Sequence, residues 1–289
     1  MNPNAALSRL ADRVQPDAAE MLWARDRLAA LERRMAKAFP RCRLVPIGSY
    51  SRGTAIAVHS NVDILAVLPR EWATWGGRRV APGMIIQRMA QDLSDQHCTA
   101  TIRRDGRAVE LSFRGAIHTL DVLPGFTVRR TTRYPRYSVP GADLRWVDVS
   151  PQCHDALFSQ ANLRSGGKLR AISRLVKTWG IVVAPPGGIS SLYIDMMLAT
   201  SGIASGVRSY GDCLRELFNV LVRREVPGLL DPAGGSGVIV ASSSLGARER
   251  LCDSVKAAAD QAQATLEAQT RGDDASARRQ WKVLFKRRV

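Results

Sequence analysis

The segment DILAVL, residues 63–68, constrains the fold more than any other part of this chain. Its run of apolar residues is typical of a strand buried on both faces of a sheet, yet it opens with a carboxylate, Asp63. A second strand-like segment, HTLDVLP (118–124), carries Asp121. A carboxylate is costly to bury unaided, and two on strands of one sheet repel each other unless a cation lies between them. The alternative is that each caps a strand end or pairs with an arginine.

The first half of the chain predicts a mixed sheet backed by helices. Residues 16–39 have the apolar spacing of a long amphipathic helix, and Asp17 and Glu20 are placed to form a capping box at its start. Several short strand patterns follow, and the Asp-Gly pair at 105–106 is a strong hairpin signal. We therefore expect an α/β (α+β) architecture whose sheet lies in this half.

The second half has a different character. After the link at 137–151, which contains proline and glycine, four long segments all suit helices, and glycine- and proline-rich stretches separate them. The change of pattern predicts two domains. One is a catalytic lobe at 1–150 that includes the N-terminal helix, and the other is a helical nucleotide-binding lobe at 151–289.

The composition indicates the kind of partner. Lys and Arg number 42 against 26 Asp and Glu, so the net charge is +16. Such a surface favours nucleotides, nucleic acid or an acidic protein. The five cysteines are dispersed, which argues against a disulfide framework and a zinc site. No apolar run approaches the roughly 20 residues that cross a bilayer, and the N-terminus does not read as a signal peptide. We therefore expect a cytoplasmic protein with no membrane partner.

A Gly-Ser pair, Gly48-Ser49, precedes the strand that carries Asp63. Glycine lets the backbone approach a bulky anion closely, and Ser49 adds a hydroxyl and an N–H group at an expected helix start. Two Mg²⁺ ions held by Asp63 and Asp121 would also bridge a nucleoside triphosphate. The pair and the carboxylates together predict a site for a metal-bound phosphate.

These residues carry a resemblance to a known family. The pattern GSYSRGTAI…SNVDILAVL resembles the signature of the DNA polymerase β-like nucleotidyltransferase superfamily. The sequence of this motif is most similar to that of the cGAS/DncV-like nucleotidyltransferases (CD-NTases) of bacterial anti-phage defence, which are related to oligoadenylate synthase. The likeness covers most of the chain, although only the first motif is highly specific.

The resemblance implies a polymerase β-like catalytic lobe with a mixed sheet, a C-terminal helical lobe, an N-terminal helix spanning both, and an active site in the cleft. It implies that Asp63, Asp121 and an acid at position 61 bind two Mg²⁺ ions, or Mn²⁺. The expected activity is synthesis of a cyclic di- or trinucleotide second messenger from NTPs in CBASS signalling. We expect a monomer that responds to CBASS regulatory partner proteins.

The resemblance also extends to two later motifs. RLVKTW (174–179) resembles the family helix whose lysine, often together with a nearby arginine, contacts the nucleotide triphosphate. The resemblance therefore implies that Lys177 and Arg174 make these contacts. ISSLYID resembles the next helix and points to Ser191 as a phosphate contact. Without the resemblance, Arg174 and Lys177 read as solvated helix residues. At an exposed position, replacing Lys177 by alanine should cost roughly 0.5 kcal/mol of stability or less.

The chain departs from the family at Asn61, where the family has a metal-binding acid. An amide oxygen is a neutral, weaker ligand for Mg²⁺, and the site loses one negative charge. Either the acid of an active enzyme has been replaced, or the chain is a natural pseudoenzyme. We favour replacement because the other site residues are present, and we expect NTP binding with very poor turnover.

Two further alternatives stay open at the level of sequence. The acceptor could be an RNA tail, a tRNA end, a protein hydroxyl or an aminoglycoside instead of a second nucleotide. The net charge of +16 is compatible with an RNA acceptor. The protein could also be a nucleotide- or nucleic-acid-binding pseudoenzyme. A nucleic-acid activator is the less favoured regulator, because the cysteines lack the spacing of a zinc site that grips a duplex.

Overall fold

The computed structural model describes residues 2–75, 77–95, 100–129, 133–183 and 188–286. The chain divides into two compact units. The sheet unit comprises Pro16–Asp155 and Ala233–Ser236, and the helical unit comprises Met1–Gln15, Ala156–Pro232 and Gly237–Val289. The predicted combination of a mixed sheet in the first half and helices in the second is confirmed. The units are not continuous in sequence, since the first fifteen residues belong to the helical unit. The functional lobes at 1–150 and 151–289 stay a prediction.

The first half contains the sheet and the helices that cover it. Its elements are α1 (Pro3–Arg13), α2 (Ala18–Ala38), β1 (Arg43–Ile47), α3 (Gly48–Arg52), β2 (Val62–Leu68), a 3₁₀ turn (Arg70–Ala73), β3 (Thr74–Trp75), β4 (Arg78–Arg79), α4 (Pro82–Asp95), β5 (Ala100–Asp105), β6 (Ala108–Phe113), β7 (Thr119–Arg129), β8 (Arg136–Pro140) and β9 (Trp146–Val149). The remaining elements are α5 (Pro151–Arg164), α6 (Lys168–Val183), α7 (Ser191–Ser201), α8 (Tyr210–Arg223), β10 (Leu229–Leu230), β11 (Val238–Ile239), α9 (Leu245–Thr270) and α10 (Asp274–Leu284).

The capping box predicted for the long N-terminal helix is confirmed. Asp17 Oδ1 accepts a hydrogen bond from the Glu20 backbone N–H at 2.8 Å, and Glu20 Oε2 accepts one from the Asp17 N–H at 3.0 Å. The two bonds satisfy N–H groups that the first turn of a helix leaves unpaired. The helix lies within the sheet unit.

The sheet has the strand order β1-β2-β7-β6-β5, with β8 pairing to β7 and β9 to β8. The β2–β7 pair is parallel, and the other pairs in this sheet are antiparallel. Because β2 and β7 run in the same direction, their first residues lie at the same edge of the sheet. This edge carries the two carboxylates noted in the sequence.

Side chains alternate between the two faces of each strand, and each face has an apolar core, the smaller one formed by Leu65, Val67, Tyr137 and Val139. The other face packs against α2 and α4, which contribute Leu31, Met35, Ile85, Ile86 and Met89 to the larger core. The strand residues of this core are Val62, Ile64, Val109, Leu111, Leu120 and Val122. Asp63, Glu110 and Asp121 alternate with these residues, so they lie on the opposite face.

The helical unit is built around α6 and α7. In α7 every residue from Tyr193 to Ala199 is buried, so this helix is surrounded by protein on all sides. Trp179 of α6 packs edge-on against Phe218 of α8, with ring centroids 4.9 Å apart. No helix in the described ranges is long and apolar enough to cross a membrane.

Candidate active site

The sheet places Asp63 and Asp121 side by side. The two residues are direct partners in the parallel β2–β7 register, so their side chains leave the same face of the sheet. In β1, Ile47 is the register partner of Asp63, and the chain turns immediately after it into Gly48. The register thus brings the Gly-Ser turn and both carboxylates together at one sheet edge, as the sequence motif predicts.

Gly48 is fitted to the Asp63 carboxylate. Its φ is +76°, a left-handed conformation that favours glycine. A Cβ atom on this residue would lie 2.1 Å from Asp63 Oδ2, which is far inside van der Waals contact. Ser49 is buried, and its carbonyl accepts the Thr54 N–H at 2.9 Å, which closes the short helix α3. The turn therefore requires glycine for both conformation and space.

Asn61 acts in this structure as a hydrogen-bond donor to the site. Its amide Nδ2 donates to Asp121 Oδ2 at 3.0 Å, and Thr119 Oγ1 donates to Asp121 Oδ1 at 3.2 Å. A carboxylate at position 61 would repel Asp121 where the amide hydrogen-bonds to it. At the position where the family has a metal-binding acid, this chain therefore has an amide that donates a hydrogen bond to Asp121.

Glu110 is a member of this acidic row that sequence analysis missed. It is the register partner of Asp121 on β6, on the side opposite Asp63. Ser112 Oγ donates to Glu110 Oε1 at 3.0 Å. The alternation in AVELSF places Glu110 and Ser112 on one face of a strand. The sequence does not show that this strand pairs with β7, and only that pairing brings Glu110 beside Asp121.

The donor set suits a hard divalent cation. Asp63 and Asp121 supply carboxylate oxygens and Asn61 an amide oxygen, and oxygen ligands of these kinds are the ones that Mg²⁺ prefers. Within the described ranges, no group of three or more His, Cys, Asp or Glu side chains converges as a metal site. The chemistry of the residues still suits the ion, because two adjacent carboxylates and one amide can supply oxygen ligands.

Lys177 lies in the helical unit, and the expectation that it is an exposed helix residue is wrong. Its side chain is 6% exposed, and its Nζ lies 3.0 Å from the carboxylate of Asp195, which is 0% exposed. Ser173 Oγ donates to the same carboxylate at 2.6 Å. The reason is packing, because every residue of α6 from 171 to 180 is buried. The role of Lys177 towards a triphosphate stays a prediction.

Arg174 is buried as well, which also corrects the expectation of a solvated residue. Its Nε donates to the Ala11 carbonyl at 3.0 Å and ties α6 to α1. Burial lowers the pKa of the Arg174 guanidinium, and the charge of Arg170 adds to this while Asp12 opposes it. Its contact with a nucleotide stays a prediction.

Ser191 is the exposed first residue of α7. The preceding Ser190 is the N-cap, and its side chain accepts the Tyr193 N–H at 3.4 Å. Ser191 therefore keeps its hydroxyl at the solvent-facing start of a buried helix, and its phosphate contact stays a prediction.

The fold has well-matched counterparts among solved structures. CdnC from Escherichia coli with ATP aligns with a TM-score of 0.76 and 17% identity over 99% of this chain and 98% of CdnC; CdnC has also been solved as a complex with HORMA-deltaN. CdnG, a CD-NTase from Bradyrhizobium diazoefficiens, in complex with GTP, gives a TM-score of 0.74 and 14% identity over 98% of both chains.

DncV cyclic AMP-GMP synthase from Vibrio cholerae, with a linear intermediate, gives a TM-score of 0.63 and 12% identity over 86% of this chain and 70% of DncV. No curated protein sequence matches this chain significantly. The model of the Second Messenger Oligonucleotide or Dinucleotide Synthetase domain matches residues 1–162. The CD-NTase prediction is thus confirmed, and the chain belongs to the Second Messenger Oligonucleotide or Dinucleotide Synthetase family of nucleotidyltransferases.

Proposed function

We propose that the protein binds NTPs with Mg²⁺ and joins them into a cyclic di- or trinucleotide second messenger, and that Asn61 impairs the catalytic step. The observation that carries the proposal is the register of Asp63 with Asp121 beneath Gly48. The two carboxylates lie on adjacent strands, and the glycine backbone packs so closely against Asp63 that a side chain at position 48 would clash with it.

The residues of the sheet unit have distinct roles in this proposal. Asp63 and Asp121 would hold the two Mg²⁺ or Mn²⁺ ions through their carboxylate oxygens. When bound, the ions lower the pKa of an acceptor hydroxyl and offset the charge that develops on departing pyrophosphate. Gly48 keeps the backbone close to the phosphates, and Ser49 fixes the turn that presents it.

Asn61 works against metal loading in two ways. It brings no negative charge, and its amide nitrogen occupies Asp121 Oδ2. A cation that uses this oxygen must share it with the Asn61 amide, which lowers the electron density available to the ion. We therefore expect the chain to bind an NTP with its metal and to turn it over very slowly.

The experiment is product analysis by mass spectrometry. The chain and its Asn61→Asp variant are incubated with all four NTPs and with Mg²⁺ or Mn²⁺, and Asp63→Asn in the Asn61→Asp background is the matched control. We expect cyclic products from Asn61→Asp and none from the control. Linear or acceptor-linked products would instead support a nucleotidyltransferase that acts on RNA or another acceptor.

A nucleotide-binding pseudoenzyme is the second candidate. The hydrogen bond between Asn61 and Asp121 favours it, because a neutral amide donates to Asp121 from the position where the family has a metal-binding acid. NTP binding by calorimetry together with an inactive Asn61→Asp variant would support this candidate. Absence of NTP binding at millimolar Mg²⁺ would contradict both candidates.

Regulation is part of the same proposal. CdnC, a relative of similar fold, has been solved with HORMA-deltaN, and we propose that this chain also works with a CBASS regulatory protein, as a cytoplasmic monomer. A nucleic-acid activator is not favoured. The net charge of +16 still produces salt-sensitive binding to any phosphate backbone, so only a change in product-formation rate with added duplex decides this point.

A further inference from the structure

A partly buried hydrogen-bond network lies next to the acidic row and connects the loops that precede β2 and β7. The two carboxylate oxygens of Glu20, in the first turn of α2, contact different partners. Oε2 accepts the Asp17 N–H of the capping box. Oε1 accepts the Val58 N–H at 3.0 Å and lies 2.6 Å from His118 Nε2. One oxygen thus caps a helix, and the other connects it to two loops.

His118 joins those two loops directly. Its ring is 5% exposed, and its Nδ1 lies 3.1 Å from the Ser60 carbonyl oxygen. The two ring nitrogens thus lie within hydrogen-bond distance of two different segments, the Glu20 side chain on α2 and the Ser60 carbonyl in the loop before β2. Ser60 immediately precedes Asn61, and His118 lies three residues before Asp121. The ring therefore links the start of β2 to the start of β7.

The loop that the network holds has a strained backbone. Val58 has φ +68°, a left-handed conformation that is unusual for any residue with a side chain and is most unfavourable for a β-branched one. Such strain persists only where the surroundings over-determine the conformation, and it is concentrated at functional sites. Several hydrogen bonds hold this loop: Val58 N–H donates to Glu20, Ile56 N–H donates to Ser60 Oγ at 2.8 Å, and the His59 and Ser60 N–H groups donate to the Ile56 carbonyl.

We propose that Glu20 and His118 are positioning residues for the acidic row. The Glu20–His118 latch, made of these two side chains with the Val58 N–H and the Ser60 carbonyl, fixes the loop before β2 against the loop before β7. It thereby sets the separation between the residues at positions 61 and 63 and Asp121. The inference rests on the proposed function, because it assigns the latch to the metal-holding strands.

The latch can be broken without removing the surrounding packing. His118→Phe loses both hydrogen bonds but keeps a ring beside Trp23, whose centroid is 5.7 Å from that of His118. Glu20→Ala loses the latch and half of the capping box. Asp17→Ala is the matched control, because it removes the other half of the box, the bond to the Glu20 N–H, and leaves the latch intact.

The experiment measures Mn²⁺ affinity by calorimetry and amide hydrogen exchange over residues 56–61 in the full chain and the three variants. We expect Glu20→Ala and His118→Phe to weaken Mn²⁺ binding at least about tenfold, as removal of outer-shell partners does, and to accelerate exchange in this loop. Asp17→Ala should lower the melting temperature with unchanged Mn²⁺ affinity.

The outcomes separate the latch from the proposed function. Unchanged Mn²⁺ affinity in both latch variants, with the parent binding Mn²⁺, overturns the latch alone. An equal loss in Asp17→Ala also overturns it, because helix capping would then explain the effect. A parent chain that binds no Mn²⁺ overturns the proposed function instead, and the positioning role is lost with it.

Discussion

The two units each contain a group of carboxylates, and the groups are bound in different ways. In the helical unit, Asp195 is fully buried and is bound by the ammonium of Lys177 and the hydroxyl of Ser173. In the sheet unit, Asp121 is half-buried, and its two oxygens accept from the amide of Asn61 and the hydroxyl of Thr119. A lysine ammonium thus contacts the first carboxylate, and an amide and a hydroxyl donate to the second.

From this difference we expect the first group to serve the fold and the second to serve chemistry. In a buried ion pair the lysine neutralises the carboxylate. Removing either partner leaves an uncompensated charge in the protein interior. Two carboxylates in register at a sheet edge repel each other, and a bound cation relieves this repulsion. The comparison predicts that substitutions at the first group reduce stability and that substitutions at the second reduce ion binding.

The largest effect on stability is expected at Lys177. Lys177→Ala leaves Asp195 buried without its ammonium partner and should cost about 3–5 kcal/mol, measured by urea unfolding. The control is Lys256→Ala on α9, an exposed lysine, which should change stability by roughly 0.5 kcal/mol or less. If Lys177→Ala lowers the free energy of unfolding by less than about 1 kcal/mol, the Lys177–Asp195 pair is not needed for stability and the proposed difference between the two carboxylate groups is wrong.

The next largest effect is expected at Gly48. Gly48→Ala adds a Cβ that would lie 2.1 Å from Asp63 Oδ2 in a left-handed backbone, so it should cost about 2–4 kcal/mol and abolish Mn²⁺ binding. Gly115→Ala is the matched control in the same unit, since its φ is +75° and nothing lies within 4 Å of an added Cβ.

Gly115→Ala should lose only about 1–2 kcal/mol, the cost of the left-handed conformation itself, and it should keep the Mn²⁺ affinity. Equal losses in the two variants would mean that the close approach of Gly48 to Asp63 is not needed. Thermal unfolding and calorimetry on the same samples provide both readouts.

The smallest effect on stability is expected at Asp63. Asp63→Asn removes like-charge repulsion with its register partner Asp121, so we expect stability to stay within about 1 kcal/mol of the parent or to rise. Mn²⁺ affinity should fall at least about tenfold. A loss of more than about 2 kcal/mol would place Asp63 with Asp195 as a structural carboxylate.

Local signals in the sequence predicted much of this molecule. The capping box of Asp17 and Glu20 and the buried strand that follows Asn61 depend on residues close together in the chain, and both are present as expected. The placement of Asp63 and Asp121 on strands of one sheet was also predicted, from two strand patterns with one carboxylate each and a known motif, whereas their direct register was not.

The features that sequence analysis missed depend on contacts between distant segments. Glu110 joins the acidic row only because β6 pairs with β7. Lys177 looked exposed because a lysine on a helix usually is, yet α6 is buried on that side and Asp195 is 18 residues further along the chain. The link between Glu20 and His118 spans 98 residues and has no local signature.

The central claim is that the acidic row is built to take a metal ion and that Asn61 weakens it. The most direct test is the rate of pyrophosphate release from all four NTPs with Mg²⁺, compared between the chain and its Asn61→Asp variant at equal concentration. The account predicts that the variant is faster by at least about tenfold. Equal rates in the two proteins, whether both fast or both absent, would contradict it.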